Sequence, residues 1–108
     1  MAAIDILVMG HKFNELNAEI GSFCRQHHVR RLSLFGSAAR AEMGPLSDVD
    51  LLIEFEQGHA PSLAGLERLR QSLATIFGTE AIDLATTSIL RNPYRRRAIL
   101  ADLQELND

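Results

Sequence analysis

The sequence predicts a small α/β (or α+β) sandwich, with helices covering a sheet of about three strands, and three observations carry that prediction. Amphipathic stretches with three-and-four spacing alternate with short aliphatic runs. The breaks between them fall on glycine, proline, serine and asparagine. A length of 108 residues suffices for one modest core, so residues 1–108 are expected to form a single domain.

The elements follow in order. From Phe13 to His27 the apolar positions Phe13, Leu16, Ile20, Phe23 and Cys24 share one helical face. Gly21 within it costs about 1 kcal/mol relative to alanine. The pattern leaves open whether residues 3 to 9 extend this helix. Arg31 to Phe35 reads as a short strand stopped by Gly36-Ser37, and Ala38-Ala39-Arg40-Ala41 allows one helical turn before Gly44-Pro45 breaks it. Val49 to Phe55 is the best strand, alternating at first and then running through Leu51-Leu52-Ile53. After the loop Gln57 to Pro61, Ser62 is placed to cap a helix with the stripe Leu66, Leu69, Leu73, Ile76 and Phe77, ended by Gly78. Ala81 to Ala85 is a short strand centred on Asp83. Asn92-Pro93 then starts a closing helix with Ile99, Leu103 and Leu106 on one face.

Composition excludes several classes. The chain is 46% hydrophobic and 23% charged, with seven glycines and three prolines, which is the make-up of an ordinary soluble globule, not of a disordered or fibrous chain. No apolar run approaches the roughly 20 residues of a membrane span. The opening MAAIDILVMGHK lacks a basic n-region, so no secretory signal is expected. One cysteine, Cys24, makes neither an internal disulfide nor a zinc site alone. Together these point to a reducing, cytoplasmic setting. A net charge of −3 argues against general nucleic-acid binding.

The chemistry concentrates in Leu34-Phe35-Gly36-Ser37, ten residues, then Asp48-Val49-Asp50. On a strand, residues i and i+2 share a face, so Asp48 and Asp50 project side by side. Their mutual repulsion is relieved by a divalent cation, and an oxygen-only donor set favours Mg²⁺ or Mn²⁺. Gly36 permits a sharp turn and close approach of a ligand. Ser37 opens a helical turn whose free N–H groups favour phosphate, and Arg40 follows one turn on with a forked guanidinium. If Ile82 and Leu84 point into the core, Asp83 points away from it, to the face where Asp48 and Asp50 are expected. There it would act as a third metal ligand or as the base for an attacking hydroxyl. Its plain alternative is a strand-edge charge that blocks aggregation. At about 6% usage per residue type, four fixed positions recur by chance in roughly one such chain per thousand.

Other polar groups carry less. His11, His27, His28 and His59 lack metal-ligand spacing and read as surface or capping residues, and Cys24 sits on the apolar stripe of its helix. Arg95-Arg96-Arg97 is either a solvated face or a surface for a nucleotide, an RNA or an acidic partner.

The run Leu34 to Arg40 with Ser47-Asp48-Val49-Asp50-Leu51-Leu52 resembles the signature of the DNA polymerase β-type nucleotidyltransferases, and the chain as a whole is most similar to their minimal nucleotidyltransferase (MNT) domains. That resemblance implies a mixed sheet with an antiparallel first strand. It implies Mg²⁺, or Mn²⁺, held by Asp48, Asp50 and Asp83, and a nucleotide held by Gly36, Ser37 and Arg40. It also implies an antitoxin that transfers AMP from ATP to a tyrosine of a HEPN-domain toxin. One departure stands out: the family places glycine after the arginine, whereas Ala41 follows Arg40 here and the glycine is Gly44. Two alternatives stay open, namely neutralisation of the toxin by binding alone and transfer to a small-molecule hydroxyl.

Overall fold

The computed structural model describes residues 7–8, 11–12, 16–40, 42 and 48–107. Its element order is β1 (Leu7–Val8), β2 (His11–Lys12), α1 (Asn17–Gln26), β3 (Val29–Phe35), α2 (Gly36–Ala39), β4 (Val49–Phe55), α3 (Leu63–Phe77), β5 (Ile82–Thr86), a 3₁₀ turn (Thr87–Arg91), α4 (Pro93–Asp102) and β6 (Gln104–Glu105). The first two strands pair antiparallel as a separate two-stranded sheet, where the sequence pattern leaves helix open. The expected helix onset at Phe13 lies outside the described residues.

The main sheet has four strands in the order β5-β4-β3-β6. It is mixed: β3 runs antiparallel to β4 and to β6, while β4 and β5 are parallel. The fourth strand corrects the sequence expectation. The spacing Ile99, Leu103 and Leu106 fits a helix, but α4 ends at Asp102 and Leu103 is already extended. Leu106 is instead buried in the principal core, anchored by its amide donating to the Leu32 carbonyl at 2.8 Å.

Strand alternation sorts the sheet into two faces. Leu32, Leu34, Val49, Leu51, Ile53 and Ile82 belong to the core that also takes Ile20 and Phe23 of α1 and Leu73 and Phe77 of α3. The opposite face carries a smaller cluster in which Phe35 and Leu52 pack with Ile99 of α4. Burying one side chain of this kind contributes about 1.5–3 kcal/mol, so the larger core holds the sheet while the smaller one seats α4. The caps match the sequence. Ser62 accepts from the Gly65 amide at 3.1 Å, and Gly78 ends α3 at φ 74°. Asn92 Oδ1 accepts from the amides of Tyr94 and Arg95 at 3.0 and 3.2 Å.

No helix among the described residues is long and apolar enough to cross a membrane.

Candidate active site

The site grows from strand register. Phe35 lies opposite Asp50 across the antiparallel pair, and Asp50 lies opposite Asp83 across the parallel one. The three therefore form one row across β3, β4 and β5, each a single strand spacing of about 4.8 Å from the next. Ile82 is buried in the principal core and Leu84 packs against it, so alternation turns Asp83 to the other face together with Asp50. Asp48, two residues before Asp50, sits where β4 begins. Asp48 and Asp83 are exposed and Asp50 is half-buried.

Immediately after Phe35 the chain turns at Gly36, whose φ is 72°. A methyl group there would stand 3.3 Å from Asp50 Cγ and collide with its Oδ2. The turn thus places backbone against the central carboxylate, which only glycine permits. Ser37 follows within α2, so the residues expected to grip phosphate adjoin those expected to grip metal.

Electrostatics agree with that crowding. Burial pushes the Asp50 carboxyl above its usual range, the charges of Asp83 and then Asp48 push it further, and Arg95 and Arg40 pull it back. Among the described residues no three Asp, Glu, His or Cys side chains close into a metal cage of their own. The donor chemistry fits a hard divalent ion nonetheless. Carboxylates that repel one another are what such an ion relieves, and Mg²⁺ commonly completes its shell with substrate phosphate and water.

Arg40 is engaged within the protein. Its Nε donates to Glu42 at 2.8 Å and its NH1 to Asp102 of α4 at 2.6 Å, which hold it charged beyond its ordinary range. Ala41, Gly44 and Pro45 of the connector lie outside the described residues. His27 is the C-cap residue of α1, and the rings of His28 and His59 stack on each other at 3.9 Å. Cys24 is a buried core residue, as its stripe predicted.

The sequence left the role of Arg95 unresolved within the run Arg95-Arg96-Arg97. Its charge reaches Asp50, and it lines a cleft of about 320 Å³ that also includes Gly36 and Arg40.

Comparison with known proteins follows the same lines. The profile of the nucleotidyltransferase domain family matches residues 16–106. A candidate protein adenylyltransferase of Methanocaldococcus jannaschii is 36% identical over 78 residues, 72% of this chain and 77% of its own. The protein adenylyltransferase MntA of Thermococcus cleftensis is 34% identical over 89 residues, 82% of this chain and 79% of its own. A solved structure described as a candidate minimal nucleotidyltransferase superposes with a TM-score of 0.69 at 28% identity, over 89% of this chain and 97% of that one. A toxin–antitoxin complex with AMP-PNP superposes at 0.64 with 19% identity, over 83% of this chain and 71% of that one, a likeness of fold alone.

Proposed function

The chain belongs to the nucleotidyltransferase domain family, and we propose that within it the protein is a Mg²⁺-dependent protein adenylyltransferase that moves AMP from ATP to a tyrosine hydroxyl of a HEPN-domain toxin, serving as its antitoxin. The observation that carries this reading is the row Phe35–Asp50–Asp83 with the Gly36 turn pressed against Asp50. It supports a reaction in which carboxylates and a phosphate grip act on one substrate.

In this reading Gly36 and Ser37 hold the outer phosphates of ATP, and Arg40 adds positive charge beside them. Asp48, Asp50 and Asp83 are the ligands for Mg²⁺, which when bound neutralises charge developing on the phosphates. A carboxylate oxygen of Asp83 takes the proton of the acceptor hydroxyl. The hydroxyl oxygen bonds to the α-phosphorus as the bond to pyrophosphate breaks, so catalysis is chiefly orientation and charge balance. Exposure of Asp48 and Asp83 leaves the site open to the surface of a second protein.

The test is incubation of the purified chain and its toxin partner with labelled ATP and Mg²⁺. Transfer of label by the wild type, and none by the Asp48→Asn, Asp50→Asn double variant, is expected. Equal labelling by that variant would overturn the proposal. One observation favours neutralisation by binding alone: Arg40 is tied to Glu42 and Asp102. Inhibition of the toxin without ATP, undiminished by Asp48→Asn, would support that second reading.

A further inference from the structure

The closing helix carries an unexplained charge. Arg91, Arg95, Arg96 and Arg97 lie within seven residues, all exposed, and none has an ion-pair partner among the described residues. At 100° per residue, Arg95, Ala98, Ile99 and Asp102 fall on one face of α4, while Arg97 points well away from it. The cleft respects this phase, because Arg95 is the one member of the four that lines it. Across the cleft stand Gly36 and Arg40.

We infer that this cleft receives the two outer phosphates of the nucleotide, and that Arg95 is a second guanidinium clamp on them, facing Arg40. The inference rests on the nucleotidyltransferase reading and adds to it a phosphate-binding residue from the far end of the chain. Three observations support it. Gly36 belongs both to the turn against Asp50 and to the cleft, so a phosphate chain held at the turn extends directly into the cleft. The amides of Tyr94 and Arg95 are already taken by Asn92, so attraction for an anion at this helix start comes from the guanidinium and not from free N–H groups. Arg95 has no close ion pair to give up among the described residues, acting on Asp50 only through space, whereas Arg40 is bound to Asp102 at 2.6 Å on the cleft wall. Asp102 therefore competes with phosphate for Arg40, and Arg95 is the clamp that costs no ion pair.

The experiment is calorimetric titration of the whole chain with Mg²⁺-pyrophosphate and, separately, with AMP. Arg95→Gln is expected to weaken pyrophosphate about tenfold and to leave AMP unchanged, as loss of one charge-assisted contact predicts. Arg97→Gln removes the same charge outside the cleft and is expected to change neither. Asp102→Asn releases Arg40 and is expected to tighten pyrophosphate several-fold. Because Arg95 is exposed, its replacement tests binding without unfolding the chain. Unchanged pyrophosphate binding in Arg95→Gln, equal weakening by Arg97→Gln, or an equal loss of AMP would each overturn the inference. If the wild type itself binds neither Mg²⁺-ATP nor Mg²⁺-pyrophosphate, the nucleotidyltransferase reading fails first.

Discussion

Gly36 lies so close to Asp50 that a single added methyl group at residue 36 would collide with the carboxylate oxygen Oδ2. Backbone of one strand end and the central acid of the next are thereby fitted to each other. The positive φ of Gly36 and this contact are two independent demands for glycine.

Replacement of Gly36 by alanine is expected to cost about 1–3 kcal/mol, combining the left-handed backbone penalty with displacement of the Asp50 side chain. Transfer activity should fall more than tenfold at temperatures where the variant stays folded. Thermal unfolding followed by circular dichroism, with a label-transfer assay beside it, checks both. A variant with native Tm and native rate would contradict the fit.

Asp50→Asn is expected to separate stability from activity. The folded pKa of Asp50 is raised, so its stabilising contribution is complete below the unfolded value of 3.8 and is lost as pH rises through the folded value. The ionised carboxylate is therefore a burden at neutral pH. Asp50→Asn should be more stable than wild type at pH 7 while transferring nothing. The advantage should shrink as pH falls into the acid range. Urea midpoints at pH 7 and pH 4 for both proteins measure it.

Added Mg²⁺ is expected to raise the Tm of the wild type, since a ligand that binds only the folded state stabilises it. The rise should disappear in the Asp48→Asn, Asp50→Asn double variant and on addition of a chelator. A rise of equal size in both proteins would place the bound ion elsewhere.

Ser33 is 1% exposed and its hydroxyl has no hydrogen-bond partner among the described residues. A buried hydroxyl without a partner costs about 1–3 kcal/mol in desolvation. Ser33→Ala should accordingly be as stable as wild type or more so, by up to about 1 kcal/mol, measured by denaturant titration. A marked loss would mean that a bound water holds the hydroxyl.

Burial pushes the Cys24 thiol up to about 11, with Arg25 pulling slightly the other way. A folded pKa above the unfolded one means stability is intact below the ordinary thiol value of 9.0 and declines as pH climbs from there to about 11. The decline should be of the order of 1–2 kcal/mol and absent from Cys24→Ala. Wild-type Cys24 should also react slowly with thiol reagents at pH 7.

Much of this architecture was legible in the residues. Val49 to Phe55 alternates at its start, so the strand followed at once. Ser62, Gly78 and Asn92 marked helix ends through local chemistry that needs no tertiary context. What escaped has a common cause. The two-residue strands β1, β2 and β6 are too short to show a period. Ile99 and Leu106 keep helical spacing yet serve opposite faces of the sheet, because the chain straightens at Leu103. Asp83 became a partner of Asp50 only through strand register, and Arg95 stood out from its neighbours only once the phase of α4 was set by Ile99.

The last turn of chain has a consequence for assembly. Leu106 donates to Leu32, Asn107 Oδ1 accepts from the Leu32 amide at 2.7 Å, and Asn107 Nδ2 donates to the Arg30 carbonyl at 3.3 Å. The outer margin of β3 is thus hemmed by the protein's own backbone and one asparagine side chain. No foreign strand can be stitched onto β3 without first unpicking that seam, so any strand addition to this sheet falls to its outermost strands, β5 and β6.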